Sequence, residues 1–462
     1  MTLSQLERNL LVFLDPTCRW GEDAWAFGEA EQPATTEDGP RHRVRCFGRS
    51  DLLGYLRCSL AAGLTARREG ATVRRVLYLN DGLLSSLFDS RNSSGYRAFA
   101  RAHLPRPQGI RRRLATLIPP FWRAERRFVV TEQRGTPYRP PVTDRLEELD
   151  YMFFSNPAGK LMLTRAATLV SGSGTLYKTT ASPGYIASLQ HEQAIVTGIS
   201  RRLREEGLLH GPVRLLAVGG RRYFGEQYLS GENLREVLRL LGREKAGADA
   251  CLMLDRLDLW FATYRSAFSG SRRSISCLYE PMLRTFAALP GRLPGHDTLL
   301  QLARSLLAGL DRNHGGIVPV TAHNDLWPGN FLLRGGRLTA IDWERSTHRS
   351  TPFFDYFWMI ISATMEYLVG SSGSQDYSTA FRRFLTQDDI VCRHAVRRLE
   401  QFLADLGFER TRRPQFMLLF LMEWSLQGFR ALGRVTAMDR LAQDELAAYL
   451  TVAPSADRGT FS

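Results

Sequence analysis

The chain has 462 residues, 44% hydrophobic and 23% charged, the make-up of a globular protein, and it exceeds the ~250–300 residues at which single cores stop growing, so two or more domains are expected. No apolar run reaches the ~18 residues a membrane-spanning helix needs, and Met1–Asp15 lacks the basic opening and long apolar stretch of a secretory leader. The net charge of +14 is carried almost wholly by arginine, since Lys160, Lys178 and Lys245 are the only lysines among 61 basic residues.

The six cysteines (Cys18, Cys46, Cys58, Cys251, Cys277 and Cys392) are scattered, with no C-x-x-C pair. That spacing argues against a zinc site or a disulfide framework and for a cytoplasmic protein. Residues 1–140 form an Arg-rich N-terminal region of unassigned fold. Within it, Arg101–Arg127 holds eight arginines against the single acid Glu125. Such a stretch offers a docking place for an anionic surface or a phosphate-rich partner; equally, it is a solvated face with its aromatics in the core. No nucleic-acid motif accompanies the charge, so nucleic acid is not expected as a partner.

A Pro-rich break, TPYRPPVTD (Thr136–Asp144), opens a second region, 141–231. Its pattern predicts strands in KLMLTRAATLV and TLYKTTAS about a Ser-Gly-Ser-Gly turn, a helix over Tyr185–Glu206, then strands in VRLLAVGG and RRYFGEQYL. The third region, 232–450, reads as helical from Asn233 to about His314 and again from about Phe353, with a strand-rich stretch, Ile317–Trp343, between. Strands first and helices afterwards predict an α+β arrangement, a small sheet lobe followed by a larger helical lobe.

The segment richest in chemistry is TAHNDLWPGNFLLRGGRLTAIDWE, Thr321–Glu344. It contains H-x-D-x-x-x-x-N (His323, Asp325, Asn330) and, at Asp342, an acid closing an apolar run. Phosphoryl transfer needs a carboxylate at the acceptor hydroxyl, which Asp325 supplies as base or orienting group. It also needs oxygen ligands for Mg²⁺, which Asn330 and Asp342 provide. Gly335-Gly336 reads as a two-residue hairpin turn. Folding about it sets Asn330 opposite Ile341, next to Asp342, and a strict register would send the two ligand side chains to opposite faces. Gly329-Asn330 is therefore expected to depart from strand geometry.

These residues resemble the aminoglycoside phosphotransferase and choline kinase superfamily, whose motif is close to H-G-D-x-x-x-x-N followed by I-D-W-E or I-D-F-E. The resemblance covers about residues 146–441. It implies a protein-kinase-like two-lobed fold with an additional N-terminal region, ATP (or another NTP) as donor, Asp325 as catalytic base, and Asn330 with Asp342 on magnesium. His323, Glu344 and Asp355 are expected to support them, Asp355 by bracing the catalytic loop. Asn324 in place of the common Gly, and Trp327 where a small or polar residue is frequent, are expected to reshape the acceptor pocket.

Lys178 lies on a predicted strand, and Glu192 fills the gap in the apolar stripe Tyr185, Leu189, Val196, Ile199, Leu203 of the helix that follows. A carboxylate on a buried stripe is costly unless paired, so Lys178 and Glu192 are expected to form the strand-lysine and helix-glutamate pair of kinase-like enzymes. Asn156–Gly159 occupies the place of a phosphate-covering loop. The GEQYLSGENL segment resembles an inter-lobe hinge, with Gln227 to Leu229 offering backbone groups to the base. Tyr356, Trp358 and Trp327 serve either as an aromatic wall for an acceptor or as core. The expected function is ATP-dependent transfer to a hydroxyl of a sugar, amino alcohol or glycolipid-type precursor. The alternative is a catalytically weak nucleotide-binding protein acting through its N-terminal region.

Overall fold

Short apolar runs bounded by turn residues become strands in the first part of the computed structural model. Before residue 174 the structure describes seven strands; beyond it are residues 174–180, 183–205, 214–218, 221–268, 270–289, 295–387, 389–427 and 437–452. The chain divides into two units, Met1–Gln193 with Gly211–Ser230, and Ala194–His210 with Gly231–Ser462. The Pro-rich break, the Asn156–Gly159 loop and the basic stretch Arg101–Arg127, apart from two residues that open a strand, lie outside the described residues.

The first unit carries one ten-stranded sheet. Its strands are β1 (Trp25–Phe27), β2 (His42–Phe47), β3 (Ala71–Asn80), β4 (Ser85–Asp89), β5 (Arg126–Gln133), β6 (Leu149–Phe154), β7 (Lys160–Arg165), β8 (Thr175–Thr180), β9 (Arg214–Val218) and β10 (Arg221–Gln227). They lie in the order β1-β2-β5-β3-β4-β6-β7-β8-β10-β9, all antiparallel except β1 with β2. The pairing of β4 with β6 carries the sheet across residue 140. Helix α1 (Pro183–Glu205) joins β8 to β9, and its residues Leu189, Glu192, Val196 and Ile199 are buried at the predicted stripe positions.

The second unit is mainly helical: α2 (Leu234–Arg243), α3 (Gly247–Ser266), α4 (Ile275–Ala287), α5 (His296–His314), α6 (Phe353–Ser372), α7 (Tyr377–Thr386), α8 (Ile390–Asp405), α9 (Arg413–Trp424) and α10 (Ala437–Val452). Helix α6 is apolar all round and buried along nearly its whole length, as a central helix must be. It meets α2 backbone to backbone. A Cβ at Gly242 would lie 2.1 Å from the Tyr367 carbonyl, and one at Gly370 2.3 Å from that of Arg239. Small strands interrupt the helices: β11 (Glu232–Asn233), β13 (Phe331–Arg334) and β14 (Arg337–Ala340) in one sheet, β12 (Val320–Ala322) and β15 (Thr347–Ser350) in another. The architecture is α+β, strands leading and helices following. No helix among the described residues is long and apolar enough to cross a membrane.

Candidate active site

The β13–β14 hairpin pairs Phe331 with Ala340 and Arg334 with Arg337. Gly335 and Gly336, at φ 55° and 79°, make the two-residue turn that suits strand twist. Beyond the ladder, the Ile341 N–H donates to the Asn330 carbonyl at 2.9 Å, so the open end brings Asn330 beside Asp342. Both residues leave strand geometry there. Pro328–Asn330 is a 3-10 turn, and Asp342 takes the left-handed conformation at φ 68°, ψ 61°, which costs a non-glycine residue of order 1 kcal/mol.

The loop before the hairpin is held from three sides. The fully buried Asp355, in the first turn of α6, accepts the His323 N–H at 2.5 Å on one oxygen and the Asn324 N–H at 2.7 Å on the other. Burial pushes its carboxyl up to about 7 against those two amide bonds, and the ionised form is the one that satisfies both. His323 bonds through Nε2 to the Ile341 carbonyl at 2.9 Å, which makes Nε2 the protonated nitrogen and ties the loop to the strand before Asp342. Asn233, the N-cap of α2, donates to the Gly329 carbonyl at 2.8 Å while accepting the Arg235 N–H. Replacing Asp355 by Asn would set an N–H₂ against a backbone N–H. We expect a loss of ~1–3 kcal/mol in thermal unfolding of Asp355→Asn, together with slower phosphoryl transfer.

Asn324 sits at φ 60°, a backbone that glycine adopts freely and asparagine tolerates best among other residues. Its buried amide donates to the Arg345 carbonyl at 2.8 Å and to the Thr347 hydroxyl at 2.9 Å. It therefore binds the loop to β15. Tyr356 is core, donating to Asp258 at 2.6 Å and stacked on Phe402. Trp358 packs on Phe420 and Trp424. Of the three candidate wall aromatics, only Trp327 stands on the loop.

The Asn330 amide nitrogen donates to the Asp325 carbonyl at 2.8 Å. The Asp325 carboxylate lies 3.7 Å from Arg345 Nη1. Desolvation pushes it up to about 6; Arg345 pulls down, while the like charges of Asp342 and Glu344 push further up. Carboxylate oxygens of Asp342 and Glu344 approach within 4.8 Å of each other. Asp325 thus feels one guanidinium and two further carboxylates, whose like charges oppose its ionisation.

In the first unit, Lys178 on β8 is buried and reaches Glu192 of α1 at 2.6 Å and Glu226 of β10 at 2.8 Å. Sequence reasoning missed Glu226. Its signal was strand pairing: Lys178 stands opposite Phe224, so Glu226, two residues on, shares its face. Past the Gln227↔Thr175 pair, the Tyr228 N–H continues the ladder by donating to the Gly174 carbonyl at 2.9 Å. Alternation turns the backbone groups of Gln227 and Leu229 to the other edge, where, among the described residues, pairing with β9 ends at Gly225↔Arg214.

Residues 169–384 match the model of APH, the phosphotransferase enzyme family. The matched segment takes in β8, Lys178, Glu192, the His323–Asn330 loop, the hairpin and Asp355. Among solved structures, a glucosamine kinase is similar at 15% identity and a TM-score of 0.41, over 65% of this chain and 77% of that one. The choline kinase LicA from Streptococcus pneumoniae is similar at 14% identity and 0.38, over 64% and 90%. A thermostable mutant of aminoglycoside phosphotransferase APH(4)-Ia is similar at 13% and 0.38, over 64% and 91%. No curated protein sequence matches the chain.

Proposed function

We propose that the chain transfers the γ-phosphate of ATP or another NTP to a hydroxyl of a small molecule, a sugar, amino alcohol or glycolipid-type precursor, with Asp325 as base. The observation carrying this reading is the convergence of Asp325, Asn330 and Asp342 at the open end of one hairpin, inside the segment that matches the phosphotransferase family. Asp325 takes the acceptor hydroxyl's proton, or orients that hydroxyl toward the phosphate. Arg345 and the Asn330 amide hold Asp325 in place. His323 and Asp355 fix the loop that carries it.

The donor set suits magnesium, which prefers oxygen ligands. The Asn330 nitrogen is committed to a carbonyl, which leaves the side-chain oxygen for a cation, and Asp342 adds a carboxylate beside it. Magnesium held there would neutralise charge on the donor phosphates. Glu344 contributes negative charge near the same place. Lys178, oriented by Glu192 and Glu226, contacts the donor phosphates, and the backbone of Gln227 and Leu229 receives the base.

Lys178→Met should lower kcat/KM strongly and Glu192→Gln less, because only the ammonium reaches phosphate. The double mutant should fall well short of the product of the single effects, as contacting residues do. Purely multiplicative losses in steady-state kinetics would show that the pair does not act together.

Regions 1–140, 141–231 and 232–450 remain the proposed division of labour, with every proposed site residue in the latter two. A protein beginning near Pro140 keeps all of them but uncovers the β6 edge that β4 occupies, an invitation to aggregation. It should bind MgATP in calorimetry while losing solubility against the full chain. A soluble, folded truncation that binds no nucleotide would refute the division.

A further inference from the structure

Arg235 and Arg239, one turn apart on α2, both turn to Glu366 of α6. Arg239 Nε lies 2.6 Å from Glu366 Oε2, and Arg235 Nε 3.4 Å from Oε1. The Tyr377 hydroxyl donates to Glu366 at 2.7 Å and accepts from Arg239 at 2.8 Å. Burial and the Glu366 charge raise the Tyr377 pKa, so the phenol stays neutral. Two guanidiniums therefore share one carboxylate in a cluster whose side chains are 1% (Glu366), 9% (Arg239) and 15% (Arg235) exposed. Arg239 holds the short bond, and Arg235 carries the excess positive charge.

That excess charge stands beside the catalytic loop. The Arg235 guanidinium carbon lies 5.5 Å from the centroid of the Trp327 ring. The ring covers Gly329 so closely that an added Cβ would come within 2.2 Å of it, and the Trp327 backbone N–H donates to the Asp325 backbone carbonyl at 3.0 Å. Trp327 thus touches a half-neutralised, largely buried cation with its ring and the residue assigned as base with its backbone. A cation so withdrawn from water is costly until an anion completes its pairing. A cationic acceptor at Trp327 would meet like charge, whereas a carboxylate or phosphate would meet a planar fork of donors.

We infer that Arg235, backed by Trp327, determines acceptor specificity: the acceptor carries an anionic group, carboxylate or phosphate, near the hydroxyl that receives the phosphoryl group. This rests on the reading of the site under Proposed function, keeps its transfer to a hydroxyl, and sets acidic sugars and hydroxy acids in place of amino alcohols as acceptors. Arg235 is a specificity residue, and Asp325 remains the base.

The test uses the full chain with MgATP and two charge-matched series: glucuronate, glucose and glucosamine, then glycerate, glycerol and ethanolamine. Nucleotide consumption gives kcat/KM, and calorimetry gives binding without turnover. The acid should exceed the amine of its series by about tenfold or more, the scale of a charge-assisted pair. Arg235→Gln should collapse that ratio, and Arg235→Lys should restore part of it. Arg239 stays on Glu366 in both variants, and melting temperature checks the fold. Arg235-dependent binding of an acid without turnover would uphold this inference and refute the kinase reading. Turnover of an amine over its acid would do the reverse. A wild-type protein that shows no charge discrimination, binding of none of the six included, or a ratio that Arg235→Gln leaves intact, overturns the inference.

Discussion

Asp342→Asn should abolish magnesium-dependent transfer while leaving the fold intact. The substitution removes the charge proposed to hold the metal and almost no volume. Asp342 sits in the left-handed region, which asparagine enters at least as readily as aspartate, so the turn after β14 loses no backbone preference. Thermal unfolding should move by no more than a few degrees, the shift that ~1 kcal/mol produces in a domain of ordinary size. The loss also removes one of the like charges that push Asp325 up, so the Asp325 carboxyl should titrate lower in the variant. Turnover near wild type in purified, folded Asp342→Asn would end the metal assignment.

Asp325→Asn should reduce transfer by ~10²–10⁴-fold, the range of a positioned general base. The Asp325 carboxyl is pushed up to about 6, chiefly by desolvation, above its ordinary ~3.9. The basic form therefore accumulates as pH rises through 6, and transfer should fall on the acid side. Arg345 is the neighbour that pulls this value down, so Arg345→Ala should move the acid limb to higher pH. Stability follows the opposite sign. A carboxyl whose folded value exceeds its unfolded one favours folding while protonated, and that contribution is lost as pH climbs from about 4 through 6. At neutral pH, Asp325→Asn should therefore melt no lower than wild type, as expected when a residue is kept for chemistry at some cost in stability. A pH profile unchanged by Arg345→Ala would contradict the charge balance described for the site.

Much of this site was legible in the residues because its determinants are local. The Gly335-Gly336 turn sets the hairpin register, and the register alone puts Asn330 opposite Ile341. The demand that ligand side chains leave opposite faces foretold a departure from strand geometry at Gly329-Asn330, though neither its form as a 3-10 turn nor the left-handed Asp342 that shares the adjustment. Lys178 and Glu192 were readable because a buried carboxylate on an apolar stripe requires a cation. Glu226 was not, since its part depends on pairing between β8 and β10, a long-range choice that no local pattern encodes. The bonds of Asn324 were hidden for a related reason: its spacing marks the loop, while its partners depend on a positive φ and on β15 folding back beside it. The Arg235–Glu366–Arg239 cluster joins residues more than a hundred positions apart and left no trace in periodicity. The continuity of the sheet across residue 140 was hidden too, because composition changes at the Pro-rich break while strand pairing does not.

The most direct test of the phosphotransferase machine is product analysis. The full chain, Asp325→Asn and Asp342→Asn are each incubated with ATP, magnesium and the acceptor series above, and acceptor and nucleotide are followed together by mass spectrometry. The wild-type protein should yield ADP and an acceptor one phosphate heavier in equal amounts, only with magnesium, and both variants should yield neither above background. Phosphorylated acceptor forming at wild-type rate in either variant, or without a divalent cation, would contradict the assignment of Asp325, Asn330 and Asp342.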